Sequence, residues 1–243
     1  MAGRDARRGS ADLRHRPLTP GQVSVLYVVG TPIGNLEDVS ARALRILAGV
    51  SAIAAEDTRI TARLLARHQI RKPLLSHRAP VERRTAPRVL QALASGDVAL
   101  VTDAGTPGVS DPGPHLVAAA WEAGHRVVPV PGPSAVTAVL SASGFTGPGF
   151  VFIGYLPRRP GELRRVLQSL ADEQRPAVAF DSPHRVVKSL LMLAEVLPER
   201  LVMVARELTK VHEELLRGTA QEVAQRLDGR ARGEFTLVVS GRA

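Results

Sequence analysis

The chain has 243 residues, a formal net charge of +9 and no cysteine, and 44% of its residues are hydrophobic. That length suits one large domain or two domains of about 100–150 residues each. Without cysteine, disulfides and thiolate metal sites are excluded, and the seven histidines lack the paired spacing of a zinc site, so we expect no metal. No apolar run is long enough for a membrane span or a secretory signal, so a cytoplasmic protein is the expectation.

Short apolar runs alternate with segments of helical periodicity from residue 24 onward, after a polar stretch at 1–21 that predicts a flexible basic tail. Strands are predicted at 24–29, 50–55, 97–103, 125–130, 150–157, 177–180, 200–208 and 234–241. Helices are predicted at 40–49, 58–68, 86–96, 114–124, 135–144, 161–173, 183–197 and 219–228. This alternation predicts an α/β protein. The turn-rich stretch at 131–134 divides it into domains at 22–130 and 131–243.

Positive charge is concentrated in one stretch, residues 59–88, which holds nine basic residues and one acid, a local excess of +8. Within the predicted helix at 58–68, Arg59, Arg63 and Arg67 recur every four residues and form one basic stripe. A one-sided cluster of this kind indicates a polyanionic partner, and nucleic acid is the favoured one. A general basic bias of the whole proteome is the alternative.

Three loops rich in glycine and proline follow predicted strands, at 30–36, 103–113 and 131–135. Ligands of open α/β sheets bind at the carboxyl ends of strands, so three such loops indicate a shared site. The sequence motifs that bind ATP and NAD are both absent, so neither is supported as the ligand. None of the three lysines follows a glycine as a P-loop requires, and no G-x-G-x-x-G spacing is present.

Seven segments together resemble one known family. They are LYVVGTPIGNLEDVS, AAEDTR, ALVTDAGTPGVSDPG, VVPVPGPSAVTAVLSASG, SPHR, ARELTK and GEFTLVVSG. This set resembles the tetrapyrrole methylase superfamily, and within it the branch that methylates the ribose 2′-oxygen of a cytidine in small-subunit (16S) ribosomal RNA. The resemblance covers roughly residues 24–241, and its joint motifs are far more specific than any single loop.

The resemblance implies a two-domain methyltransferase, with a mixed sheet flanked by helices in each domain and S-adenosyl-L-methionine in the cleft between them. It also implies a homodimer and an RNA or small-ribosomal-subunit partner. The cofactor-binding residues carried over from the family motifs are Pro32, Asp103, Ala104, Gly105, Thr106, Pro107, Val109, Ser110, Ser134, Ala135 and Ala205, with the backbone near Arg206 beside the last.

The group that accepts the ribose proton is left open between several side chains. The candidates are Asp57, His184, Glu207 and Lys210, of which His184 and Glu207 are favoured. Each has a plainer alternative, since Asp57 could only cap a helix, His184 could be structural, and Glu207 with Lys210 could form an ion network. The predicted RNA-binding residues are Arg59, Arg63, Arg67, Arg71, Arg83, Arg84 and Arg185.

Two departures from the family pattern stand out. Residues 77–82 keep His77 and Glu82 but lose the family's asparagine, and Asp181 stands where glutamate is usual.

Two other functions remain open. A methyltransferase acting on a tetrapyrrole would share the fold, but a small porphyrinoid needs no extended basic surface. A non-catalytic RNA-binding protein would not need the intact cofactor loops.

Overall fold

The computed structural model describes residues 23–242; the predicted tail at 1–21 lies outside them. Within the described range the chain forms two five-stranded sheets and two compact units. The first unit takes residues up to Val29, then Ser40–Asp103 and Pro112–Pro131. The second takes Gly30–Val39, Ala104–Asp111 and Gly132 onward. The loops after the first and fourth strands thus group with the second unit.

The first unit is a parallel sheet with helices between its strands. Its elements are β1 Val25–Val29, α1 Ala41–Gly49, β2 Ala52–Ala55, α2 Thr58–Arg67, β3 Leu74–Ser76, α3 Glu82–Ser95, β4 Val98–Val101, α4 Pro114–Glu122 and β5 Arg126–Val130. The strand order is β3-β2-β4-β1-β5 and these neighbours pair in parallel. The expected mixed sheet is therefore wrong for this half. Of the three interior strands, β2 (AIAA) and β4 (VALV) are buried at every residue, as strands covered on both faces are.

The second unit contains a mixed sheet. Its elements are α5 Ala135–Ser143, β6 Val151–Tyr155, α6 Pro160–Ser169, β7 Ala177–Asp181, α7 Val186–Val196, β8 Leu201–Arg206, β9 Glu214–Thr219, α8 Ala220–Leu227 and β10 Phe235–Val239. In the order β6-β7-β10-β8-β9, the first pair is parallel and the other three are antiparallel. Helices α6, α7 and α8 cover one face through a large apolar cluster, and α5 packs on the other. The predicted α/β class is confirmed.

Local signals explain most helix boundaries. Ser40 accepts a hydrogen bond from the Ala43 N–H at the start of α1, and Asp57 accepts one from the Arg59 N–H at the start of α2. At α8, Thr219 and Glu222 form a reciprocal capping box. Helix α3 begins at Glu82, earlier than expected, with Pro87 in its second turn. No helix among the described residues has both the length and the apolar character needed to cross a bilayer.

Candidate active site

The loops that follow β1 and β4 are joined by reciprocal backbone hydrogen bonds. The Thr31 N–H donates to the Gly105 carbonyl at 2.8 Å, and the Gly105 N–H donates to the Thr31 carbonyl at 3.1 Å. The Thr31 hydroxyl donates to the same Gly105 carbonyl at 3.3 Å. The segments GTPIGN and AGTP (Ala104–Pro107) are therefore neighbours within the second unit, and Pro32 directly follows the bonded residue.

The loop after β5 reaches the same place because two glycines lack side chains. A Cβ atom built on Gly132 would lie 2.6 Å from the Gly30 carbonyl oxygen, and one built on Gly30 would lie 2.8 Å from the Gly132 Cα. Gly105 adopts a left-handed φ of +74°, and a Cβ there would face Ile33 Cγ2 at 3.5 Å and the Pro133 carbonyl at 3.8 Å. All three predicted loops thus converge around Gly105.

The other predicted cofactor residues occupy varied settings. Val109 packs on the apolar cluster beneath α5, and Ala205 is buried in β8. Ser110 has a φ of +66°, which is uncommon for a residue other than glycine, and its Oγ lies 3.7 Å from a Cβ built on Gly154. The remaining members lie on either side of Gly105 or at the start of α5: Ala104, Thr106, Pro107, Ser134 and Ala135.

A fourth segment, which holds the predicted catalytic candidates Glu207 and Lys210, contacts the first loop. A Cβ built on Gly34 would lie 2.6 Å from Lys210 Cγ and 2.8 Å from both the Leu208 carbonyl and Thr209 Oγ1. Glu207 and Thr209 have φ values of +52° and +65°. Such conformations are costly and cluster at functional sites, most notably for a β-branched residue. The segment ELTK is therefore held tightly against TPIGN.

Ion pairing fixes the charges of that segment. Lys210 Nζ donates to Glu207 Oε1 and to Glu234 Oε2, both at 2.9 Å, and the Glu234 N–H donates to Glu207 Oε1 at 2.9 Å. Burial opposes the ionised form of Glu207, but the bonds from Lys210 and Glu234 outweigh it and lower the pKa of this carboxyl. Burial likewise opposes the charge of Lys210, and its two carboxylate partners raise its pKa. Both groups therefore stay charged at neutral pH.

Three carboxyl groups meet at the carboxyl ends of β2 and β4 in the first unit. Asp103 Oδ1 accepts a hydrogen bond from the Asp57 N–H at 2.8 Å, and the Asp103 N–H donates to Glu56 Oε2 at 3.3 Å. Burial first, and the charges of Asp103 and Asp57 next, raise the pKa of Glu56. The side chain of Arg59 binds Asp57 and holds the pKa of that carboxyl far below its usual range. The pKa values of Glu56 and Asp57 are therefore shifted in opposite directions.

The turn between β7 and α7 holds two predicted site residues, His184 and Arg185, and their surroundings differ. His184 is exposed. Arg185 is engaged within the protein, since its guanidinium pairs with Asp181 at 2.9 Å and donates to Ser182 Oγ and the Leu156 carbonyl. Asp181 is buried and also accepts from the Ser189 hydroxyl at 2.6 Å. Aspartate at this position is therefore part of a bonded network.

The predicted RNA-binding arginines of the first unit are exposed. They are Arg59, Arg63, Arg67, Arg71, Arg83 and Arg84. Helix α2 has 10 residues and so spans about 15 Å, with Arg59 at its start and Arg67 at its end. Arg83 and Arg84 line a surface pocket of about 330 Å³ together with His115 and Glu82.

Residues 77–82, which depart from the family's sequence pattern, form a structural contact through His77 and Glu82. His77 is fully buried, with its Nε2 3.5 Å from Glu82 Oε1 and its Nδ1 2.9 Å from the Thr85 hydroxyl. Glu82 Oε1 accepts the N–H groups of Gly113 and His115, at the start of α4. Burial lowers the pKa of His77 and outweighs the opposing effect of Glu82. This pair links α3 to α4.

Among residues 23–242, no group of three or more histidine, aspartate or glutamate side chains is arranged to hold a metal ion.

The family model of the tetrapyrrole (corrin/porphyrin) methylases matches residues 25–224. The chain belongs to the tetrapyrrole methylase family. The resemblance of the sequence motifs to this family is confirmed, and solved structures of the same fold agree with it. Uroporphyrin-III-C-methyltransferase from Thermus thermophilus superposes with a TM-score of 0.64 at 19% identity, over 89% of this chain and 94% of that one. Diphthine synthase superposes with a TM-score of 0.65 at 15% identity, over 89% and 90%. At such identities the likeness shows the fold alone.

Curated relatives within the tetrapyrrole methylase family are much more similar in sequence. A protein of Thermotoga maritima is 45% identical over 219 residues, which is 89% of this chain and 98% of that protein. One of Bacillus subtilis is 42% identical over 221 residues, 90% of this chain and 76% of that protein. One of Neisseria meningitidis serogroup B is 46% identical over 218 residues, 88% and 75%. All three are named ribosomal RNA small subunit methyltransferase I.

Family membership makes this tetrapyrrole methylase a methyltransferase that uses S-adenosyl-L-methionine, as predicted. The loops around Gly105 fit such a ligand. Their close approach depends on Gly30 and Gly132, and the left-handed φ of Gly105 is one that glycine adopts without strain. Individual residue contacts to the cofactor remain predictions.

Proposed function

We propose that this protein methylates the ribose 2′-hydroxyl of a cytidine in small-subunit ribosomal RNA. The observation that carries the proposal is the identity of 42–46% to relatives named ribosomal RNA small subunit methyltransferase I. The exposed basic residues between 59 and 88 support it, because an extended cationic surface binds a polyanion through counterion release. We further propose a homodimer that acts in the cytoplasm, where the small ribosomal subunit is its substrate.

The cofactor is proposed to lie against the loops that converge at Gly105. Backbone groups of the residues that flank Gly105 and of Ser134–Ala135 would hold its polar end, since N–H and C=O groups suit its carboxylate and amine. Val109 and Ala205 would contact its apolar parts. When bound, the cofactor supplies an activated methyl group. What these loops contribute is alignment, which can account for much of the acceleration of a transfer to a weakly nucleophilic hydroxyl.

The proton acceptor is proposed to be His184 or Glu56. His184 is exposed and follows a strand end of the second sheet, and burial raises the pKa of Glu56 above its ordinary value. Glu207 and Lys210 satisfy each other's charge and serve in this proposal to hold ELTK against TPIGN. Asp57 caps α2 and orients Arg59, whose exposed guanidinium would meet a phosphate.

The proposal is tested by methyl transfer in vitro. The protein is incubated with labelled S-adenosylmethionine and with unmodified small ribosomal subunits, naked 16S RNA or a precorrin-type acceptor. Label in RNA at a nucleotide that resists alkaline cleavage on its 3′ side supports ribose methylation. Label in the precorrin alone would contradict it and favour the tetrapyrrole alternative, and cofactor-independent RNA binding without transfer would favour a non-catalytic role.

A further inference from the structure

Three aromatic rings meet at the end of β6, although aromatic residues make up only 3% of the chain. The Phe152 and Phe180 rings lie edge to face, with centroids 5.1 Å apart and an interplanar angle of 68°. Tyr155 packs on Phe180 in the same manner, at 5.4 Å and 61°. Phe152 and Phe180 are partly buried against the cluster beneath α5, whereas Tyr155 is 61% exposed. A rigid base of two rings thus supports one ring that faces solvent.

This exposed ring lies beside the segments that converge in the second unit. A Cβ built on Gly154 would lie 3.7 Å from Ser110 Oγ, so the residue before Tyr155 abuts the segment after DAGTP. Val109 and Leu208 pack on the same apolar cluster as the two phenylalanines. The aromatic surface therefore continues directly from the proposed cofactor loops.

The exposed Tyr155 ring carries a neutral hydroxyl. Burial and the nearby negative charges of Asp111, Glu234 and Asp181 raise the pKa of that hydroxyl. A neutral aromatic face suits a flat, neutral ligand such as a nucleobase. Unstacked bases of single-stranded RNA are commonly held by stacking on an exposed aromatic ring.

We propose that Tyr155 is the stacking platform for the base of the nucleotide being methylated. This inference rests on the proposed function, because it assigns the ring to that same RNA substrate. In a nucleotide the carbon that bears the base is bonded to the carbon that bears the 2′-hydroxyl. Stacking the base beside Ser110 and Val109 would therefore bring the hydroxyl to the cofactor loops. Tyr155 is a positioning residue in this account, since it touches the substrate base and not the reacting atoms.

The test compares Tyr155→Ala and Tyr155→Phe with the wild-type protein. For Tyr155→Ala we expect kcat/KM for RNA methylation to fall by about tenfold or more, the usual loss of one base–aromatic stack. The dissociation constant for S-adenosylmethionine, measured by calorimetry, should stay within about twofold. Tyr155→Phe keeps the ring and should retain most of the activity. Phe150→Ala truncates an exposed aromatic residue at the opposite end of β6 and serves as the matched control.

A second measurement links the ring to the base itself. An RNA that is abasic at the methylated nucleotide should be a poor substrate for the wild-type protein. With Tyr155→Ala the abasic RNA should cause little further loss, because the two changes remove the same contact. Thermal melts of each variant check that the fold is retained.

Each contrary result has a distinct meaning. Unchanged RNA methylation by Tyr155→Ala would overturn the inference alone. A parallel loss of cofactor affinity would overturn it in favour of stacking on the cofactor's adenine, and a change in molecular mass would overturn it in favour of a subunit contact. If the wild-type protein transfers no methyl group to RNA, the proposed function fails and the inference falls with it.

Discussion

At the scale of single residues, the three carboxyl groups Glu56, Asp57 and Asp103 show how environment separates side chains of the same chemistry. Asp57 is ionised because it caps α2 and binds Arg59, whereas burial and its neighbours raise the pKa of Glu56. Asp103 braces this turn by accepting the Asp57 N–H. The motif AEDTR placed Glu56 beside Asp57, but the opposite shifts of their pKa values depend on burial and pairing that no motif displays.

Gly132 is expected to be intolerant of any side chain. An alanine Cβ there would lie 2.6 Å from the Gly30 carbonyl oxygen, so backbone must move. Gly132→Ala should lower the free energy of unfolding by about 1–3 kcal/mol, as overpacking does, and weaken cofactor binding. Denaturant unfolding and calorimetry measure the two effects.

Gly161 in α6 provides the matched control for that substitution. A Cβ added at Gly161 meets no described atom within 4 Å. Gly161→Ala should be neutral or stabilise by about 0.4–1 kcal/mol, because it reduces the freedom of the unfolded chain. Equal effects of the two substitutions would show that the Gly30–Gly132 approach does not constrain the loops.

The buried His77 predicts a pH dependence of stability. Burial lowers its pKa in the folded state, so the unfolded chain binds the proton more readily. Stability should therefore be full above the unfolded pKa of about 6.5 and decline as the pH falls below it. Melting temperatures between about pH 5 and 8 should fall less at the acid end for His77→Gln than for the wild type. Parallel curves for the two proteins would exclude His77 as the cause.

At the scale of elements, the sequence predicted the well-patterned helices and buried strands but missed two strands. β3 has three residues and is an edge strand of the first sheet. β9 begins with a glutamate and is an edge strand of the second sheet. β3 is too short, and the apolar pair in β9 (ELLRGT) is flanked by charged residues, so neither has the continuous apolar run that revealed β2 and β4. Helix α7 begins three residues late because Asp181 and Arg185 hold the preceding turn.

Helix α2 is the element expected to bind RNA, through its exposed arginines. Arg63→Glu with Arg67→Glu should weaken RNA binding while cofactor affinity stays unchanged, because both side chains are exposed on the helix surface. The slope of log affinity against log salt should become shallower by about 2, one for each lost phosphate contact. Filter binding over a salt series measures this.

The control for α2 uses exposed arginines of the neighbouring helix. Arg42→Glu with Arg45→Glu makes the same charge change on α1, outside the basic stretch. If both pairs weaken RNA binding equally, net charge and not the α2 stripe governs affinity. If the α2 pair also weakens cofactor binding, the stripe is structural.

At the scale of the whole molecule, motifs far apart in the chain become one site through topology. Parallel pairing of β1 with β4 and β5 brings the loops after these strands to one sheet edge. The sequence foresaw that convergence from three glycine- and proline-rich loops. It could not foresee the approach of ELTK to Gly34 or the aromatic group at Tyr155, because both depend on contacts between segments more than 20 residues apart.

The most direct test identifies the nucleoside that the protein makes. RNA from unmodified small subunits is treated with the protein and S-adenosylmethionine, digested to nucleosides, and analysed by mass spectrometry against authentic standards. We predict 2′-O-methylcytidine, formed only when protein and cofactor are both present. A cytidine methylated on its base, or a methylated nucleoside other than cytidine, would contradict it.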